Sequence, residues 1–198
     1  MDAVEALRVG KVVLLPTDTV YGLAARADEA GASAVYALKG RVAHQPTALV
    51  AATVEDLLRA IPELELPHEL FPGAYTLVVA NPARRFPWLA GETPEKIGVR
   101  VPKLTGEARR AVEAVGVVLA TSANDPGEPA AASLDEVPAR IRQSVAAEID
   151  AGRLPGTAST VVDLTTEEPQ ILREGAIPAA EALSTISAWR SRSRPSTS

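Results

Sequence analysis

The chain has no cysteine. That excludes disulfides, a thiolate nucleophile and thiolate-ligated zinc. Histidine is nearly as scarce: His44 and His68 are the only two in 198 residues, too few for a multi-histidine metal site. Aromatic residues make up 4% of the chain, so a broad base-stacking surface is not available. No run of about 18 apolar residues occurs, and the amino terminus lacks a signal-peptide pattern. The expected location is the cytoplasm, with no membrane partner. Phosphate-binding and hydrolase signatures are missing too. There is no G-x-x-x-x-G-K-[ST], no G-x-G-x-x-G and no G-x-S-x-G. A Ser-His-Asp triad would have to use His44 or His68, each in a loop beside proline and without a serine elbow.

What is present is a globular composition. Apolar residues make up 46%, and Ala, Val and Leu supply most of them, so the core must be largely aliphatic. The length suits one sizeable core. A single domain over residues 1–189 is expected, followed by a Ser/Arg/Pro-rich tail at 190–198 that reads as disordered. The net charge of −5 opposes broad, non-specific nucleic-acid binding. It leaves room for a local cationic pocket.

Hydrophobic periodicity predicts an α/β fold. Short helices are expected at 2–9, 27–38, 53–60 and 105–115, a helix capped by Ser133, and a last helix at 179–189. Thr53 reads as an N-cap, with Glu55 and Asp56 in the first turn. Strands are expected at 11–15, 48–52, 76–80, 97–101, 117–120, 147–149, 159–164 and 170–173. The last two are close enough for a hairpin. A mixed sheet with helices on both sides fits better than a purely parallel one.

The stretch 14–41 draws the most attention. An apolar run stops at Pro16 and is followed by Thr17, Asp18, Thr19 and Tyr21, a crowd of hydroxyls and one carboxylate at a strand end. A helix then ends in Lys39-Gly40-Arg41. Gly40 is a natural helix stop, so both cations can turn one way, toward an anion such as phosphate. Arg100, Arg173, Thr121, Ser122, Asn124 and Ser159 also lie at or near element ends. Together they describe a pocket for an anionic ligand with a small polar molecule. Plain alternatives stay open on the residues alone. Lys39 and Arg41 suit a solvated helix end, and Thr17 with Asp18 suits an Asx-type turn. Arg100 suits a surface cross-strand pair, Ser122 and Asn124 loop caps, and Ser159 a strand-start hydroxyl.

The motifs PTDTVYGL at 16–23 and K-G-R at 39–41 resemble the YrdC/TsaC family of threonylcarbamoyl-AMP synthases. PGAYT at 72–76, VRVP at 99–102, TSAN at 121–124, STVVD at 159–163 and LREGAI at 172–177 follow in that family's order. The resemblance covers residues 4–177. It implies a YrdC-like twisted mixed sheet, flanked by helices, around a concave cationic cavity. It implies a nucleotidyltransferase that condenses L-threonine, bicarbonate or CO2, and ATP into threonylcarbamoyl-AMP and pyrophosphate. The product would serve N6-threonylcarbamoyladenosine (t6A) in tRNA, by hand-over to a tRNA threonylcarbamoyl transferase.

Lys39, Arg41, Ser122 and Asn124 match the family's K-x-R and S-x-N tetrad. They would be catalytic and hold the phosphates, with Arg173 near the nucleotide. Thr17, Tyr21, Arg100, Thr121 and Ser159 match positions around threonine, with Arg100 pairing its carboxylate. Mg2+ would arrive with ATP, mostly through phosphates and water, with Asp18 a candidate to orient it.

The family pattern is departed from at Gln45, Val50, Ala74, Asp125-Pro126 and Ala130. The chain resembles the short, single-domain type. Two other readings compete with the synthase: a YrdC-like module binding tRNA or rRNA through the cavity, and a diverged paralogue adenylating another carbamate or carboxylate. The loop 150–158, with Gly152, Pro155 and Gly156, is a candidate lid.

Overall fold

A computed structural model describes residues 1–40 and 45–193. Arg41 and His44 lie outside the described residues, as do 194–198 of the expected tail. The first helix, α1 (Ala3–Arg8), begins at Asp2, whose carboxylate accepts from the Glu5 amide at 2.8 Å. Strand β1 (Val13–Pro16) is buried along its length. The chain then turns tightly into β2 (Tyr21–Arg26), which pairs antiparallel with β1.

This hairpin corrects the sequence reading, which placed a strand at 11–15 but no second strand between it and the helix at 27–38. Tyr-Gly-Leu-Ala-Ala is buried at every position. It shows no apolar–polar alternation and is poor in β-branched residues, the two signals on which a strand is read.

The next helix, α2 (Glu29–Lys39), is capped by Asp28 and closed by Gly40 in the left-handed conformation at φ 61°. Then come β3 (Ala48–Ala51) and α3 (Val54–Ala60), whose N-cap Thr53 accepts from the Asp56 amide at 3.1 Å. They are followed by β4 (Tyr75–Ala80), β5 (Lys96–Arg100), α4 (Gly106–Glu113) and β6 (Val117–Ser122). The helix expected after Ser133 is only a 3-10 turn at Leu134–Glu136 and the single-turn α5 (Ala139–Arg142). Pro138 stands between them; it lacks an N–H and biases Val137 away from the helical region. The chain closes with β7 (Ala147–Glu148), β8 (Thr160–Asp163), β9 (Gln170–Arg173) and α6 (Ala179–Ser193). Helix α6 runs past the expected end at residue 189. Arg190 donates from it to the carbonyls of Leu164, Thr166 and Glu167, which holds the segment to the β8–β9 turn.

Among the described residues nine strands form one sheet in the order β7-β1-β2-β6-β3-β5-β4-β8-β9. The pairs β1–β7, β3–β5 and β4–β8 are parallel and the rest antiparallel. The expectation of a mixed sheet with helices on both faces is met. On one face α2, α3 and α6 cover the larger core, including Leu23, Leu49, Leu77 and Leu119. On the other, α1 and α4 pack Leu7, Ala111 and Val112 on Val13, Ala24, Val50 and Val118. These two short helices cover only part of that face. Beyond Val50 the sheet floor is open.

Candidate functional site

The open part of the sheet is a cavity of about 500 Å³, within the usual range for small-molecule sites. Strand periodicity builds it. Ala120 and Ser122 on β6, Ala48 and Val50 on β3, Lys96, Gly98 and Arg100 on β5, and Thr76 and Val78 on β4 all line it. Side chains two apart share a face, so one face of neighbouring strands supplies the floor. Small residues make it deep. A Cβ built on Gly98 would stand 3.8 Å from both Ala48 Cα and Thr76 Cγ2, so the glycine leaves space that packing does not need filled.

Thr17, Arg100, Thr121, Ser122, Ser159 and Arg173 are all brought to this cavity. The Thr17 hydroxyl also organises its own turn. It donates to the Val20 carbonyl at 2.8 Å and accepts from the Thr19 and Val20 amides at 3.2 Å. Both the turn role and the cavity position expected of it are therefore present. Arg100 is 9% exposed. One terminal nitrogen donates to Asp18 Oδ1 at 2.6 Å and to Thr19 Oγ1 at 2.7 Å, while Asp18 Oδ2 accepts from the Lys103 amide at 3.0 Å. Among the described residues the Arg100 Nε has no hydrogen-bond partner, and it is buried. Burial pulls this guanidinium below the usual arginine value; Asp18 opposes that pull and nearby Arg173 adds to it. Arg100 is thus an interior cavity group, not an exposed cross-strand partner.

Arg173 donates to the Ser159 carbonyl at 2.9 Å and to its hydroxyl at 3.2 Å, and that hydroxyl shares a hydrogen bond with Thr76 Oγ1 at 2.8 Å. Gly175 makes the approach possible, because a Cβ there would fall 2.2 Å from the Ala158 carbonyl oxygen. The glycine of L-R-E-G-A-I therefore lets the segment after β9 lie on the backbone before β8, which keeps Arg173 over Ser159.

Lys39, Asn124 and Tyr21 do not line the cavity. Lys39 is fully buried. Its ammonium donates to the Ser122 carbonyl at 2.7 Å, to the Asn124 carbonyl, and to Asn124 Oδ1 at 3.1 Å. Asn124 Oδ1 also accepts from the Ser122 hydroxyl, and its amide donates to the carbonyls of Asp125 and Glu128. The cation expected to face phosphate is turned onto the loop after β6. Tyr21 is a correction of a simpler kind. Gly22 faces the cavity, so its neighbour points through the other face of the sheet. There the Tyr21 hydroxyl accepts from the Ala151 amide at 2.9 Å and donates toward the Gly152 carbonyl at 2.8 Å and Asp150 Oδ1 at 3.1 Å. That contact, with the Gly156 amide on the Thr19 carbonyl and the Leu154 amide on the Ala132 carbonyl, ties down the loop expected to act as a lid.

Sequence reasoning missed Lys96, Asp163 and Thr76. The Lys96 ammonium meets Asp163 Oδ2 at 3.1 Å, and both line the cavity. The signal was available: Lys96, Gly98 and Arg100 alternate along one strand, as do Ser159, Val161 and Asp163. Among the described residues the lining carries Lys96, Arg100, Arg173 and Asp163 as charged groups. Two of the three cations sit against carboxylates, so the positive surplus rests on Arg173.

A family model named for Sua5, YciO and YrdC, with the description telomere recombination, matches residues 5–175. A Mycobacterium leprae relative, provisionally named a threonylcarbamoyl-AMP synthase, is 37% identical over 185 residues, 90% of this chain and 83% of its own length. A threonylcarbamoyl-AMP synthase of Pyrococcus abyssi is 33% identical over 182 residues, 88% of this chain; the match spans 53% of that longer protein. The crystal structure of Pyrococcus abyssi Sua5 complexed with L-threonine superposes with a TM-score of 0.83 at 32% identity, over 93% of this chain and 56% of that one.

Proposed function

The chain belongs to the Sua5/YciO/YrdC family, and we propose that it is an L-threonylcarbamoyladenylate synthase acting in the t6A modification of tRNA. The observation that carries this reading is the meeting of Arg100, Arg173, Ser159, Thr17 and Ser122 around one cavity. Among the described residues Arg100 Nε has no partner there. A buried guanidinium with donor capacity left over suits a carboxylate that arrives with a ligand.

In this reading the threonine carboxylate lies toward Arg100, with Thr17, Thr121 and Ser159 around it. The threonyl amine forms a bond to the carbon of CO2 and loses a proton, giving a carbamate. A carbamate oxygen then attacks the α-phosphate of ATP, and the bond from that phosphorus to the pyrophosphate oxygen breaks. The protein supplies no nucleophile, and the chain has no cysteine to offer. Its contribution is placement and charge stabilisation. Ser122 and Arg173 would meet the nucleotide. Lys39 and Asn124 would act from behind, by fixing the loop that presents Ser122.

Mg2+ would enter with the triphosphate. Among the described residues no cluster of three or more carboxylates and imidazoles could cage a metal ion. Asp18 is paired with Arg100, and Asp163, in the cavity lining, with Lys96. No described helix is long and apolar enough to cross a membrane. Release of the product to a tRNA threonylcarbamoyl transferase completes the proposal.

The test is pyrophosphate release from ATP and Mg2+, with threonine and bicarbonate omitted in turn. Release that requires both is expected. Release with another amino acid in place of threonine, or none at any enzyme level, would overturn the substrate assignment or the activity respectively.

A further inference from the structure

Two segments far apart in sequence carry the polar network behind Ser122: the carboxyl end of α2, with Lys39, and the loop after β6, with Asn124. A third segment touches both. Arg140, on the single-turn α5, donates from one terminal nitrogen to the Leu38 carbonyl at 2.6 Å and from the other to Asp125 Oδ1. Leu38 immediately precedes Lys39, and Asp125 immediately follows Asn124.

The Leu38 carbonyl belongs to the last turn of α2, where carbonyls lack helical partners. The Gly40 amide reaches those of Ala37 and Tyr36, and Arg140 takes the next. A cation at this end is also favoured by the helix dipole. The planar fork of a guanidinium can serve two acceptors at a fixed spacing; an ammonium cannot reproduce that spacing. Arg140 itself is held from behind. Its carbonyl accepts from the Ser144 hydroxyl at 2.7 Å, and its neighbour Ile141 is fully buried.

We infer that Arg140 and Asp125 form a clamp that sets the register of the α2 end against the 122–125 loop, making Arg140 a positioning residue for the synthase reaction. It touches no substrate. It fixes the distance across which Lys39 reaches the Ser122 and Asn124 carbonyls, and so the height at which the Ser122 hydroxyl stands in the cavity. The inference rests on the synthase reading for its kinetic consequence and on geometry alone for its structural one.

The experiment compares the full chain with Arg140→Met, Arg140→Lys and Asp125→Asn. Hydrogen exchange is followed across residues 121–128, together with threonine-dependent pyrophosphate release. Arg140→Met should raise exchange in that segment, with the rest of the sheet unchanged. It should lower kcat about tenfold, short of the roughly hundredfold that a 1 Å misplacement can cost, with KM for threonine within about twofold. Arg140→Lys should keep the thermal midpoint of the unmodified protein but recover only part of kcat, because one ammonium cannot hold both acceptors. Unchanged exchange at 121–128 in Arg140→Met overturns the clamp. So does a lowered midpoint with kcat per folded molecule intact. If the unmodified protein releases no pyrophosphate, the synthase reading fails by itself, and the exchange comparison still decides the clamp.

Discussion

Lys39 and Arg100 are both buried cations, one behind the cavity and one in its lining, and their charged ends meet different company. Lys39 is fully enclosed and donates to two backbone carbonyls and a side-chain amide oxygen. Arg100 faces a carboxylate and a hydroxyl through one terminal nitrogen, and its Nε has no partner among the described residues. The first cation is engaged in holding a loop. The second is held by that pairing while keeping capacity for something else. Residue type and burial alone would have put both in one class; the difference lies in what each one's partners leave over.

The comparison breaks most sharply at Asp18. Removing one member of a buried ion pair leaves the other charge without compensation, typically at a cost of about 3–5 kcal/mol. Asp18→Ala should therefore lower the unfolding free energy, read from urea denaturation, by about that amount and weaken threonine binding in calorimetry. Asp18→Asn, which can still accept from the Lys103 amide, should lose less stability. If Asp18→Ala binds threonine as well as the parent chain, Arg100 is not oriented by this pair.

Lys39→Met is the matching change on the other side. It keeps the apolar stem and removes the donor from three acceptors. Hydrogen bonds to a charged group contribute about 1.5–3 kcal/mol, so a loss of about 2–3 kcal/mol is expected. The functional effect should differ from that at Asp18: a fall in kcat with the affinity for threonine preserved. Equal losses of affinity in both variants would mean that the two cations play the same part.

Much of this contrast could not be read along the chain. The local devices were legible. Thr53 caps α3, Gly40 closes α2, and each signal lies within four residues of what it governs. Strand β2 was hidden because its burial on both faces removes alternation. The destination of Lys39 was hidden for another reason: its partners are more than eighty positions away, and a K-G-R ending looks the same whether its lysine faces solvent, phosphate or a carbonyl. Between these extremes stands Lys96. Its place in the cavity follows from counting by two from Arg100, once residues 96–100 are known to be a strand.

Gly98 sharpens the comparison from the ligand's side. It shares a face with Arg100, and an added Cβ finds nothing closer than 3.8 Å. Gly98→Val should fold, since β-branched residues are favoured in strands. Its extra methyl groups would occupy the floor between Ala48 and Thr76. A loss of affinity on the order of tenfold for threonine or ATP is expected, worth about 1.4 kcal/mol, at an unchanged or higher thermal midpoint. Unchanged affinity for both would place the ligand away from the Arg100 face.

The pair Lys96–Asp163 is the mildest version of the Arg100 arrangement, with the lysine side chain 35% exposed. Burial pushes the Asp163 carboxyl up, but the Thr165 hydroxyl and amide and the Lys96 ammonium outweigh it, so it lies below the usual range. A carboxyl depressed on folding contributes stability above its unfolded value, near 4, and loses it as pH falls through the folded value. The expected contribution is on the order of 1 kcal/mol or less, because the pair is open to solvent on the lysine side. Asp163→Asn should therefore narrow its stability gap to the parent chain between about pH 5 and pH 3. Salt should also weaken the Lys96–Asp163 pair, and should affect the Arg100 pair less, since its members are enclosed and screening reaches them poorly. A gap for Asp163→Asn that stays constant with pH would mean that the carboxyl serves Thr165 as a neutral acceptor, and that only one of the two cavity pairs is electrostatic.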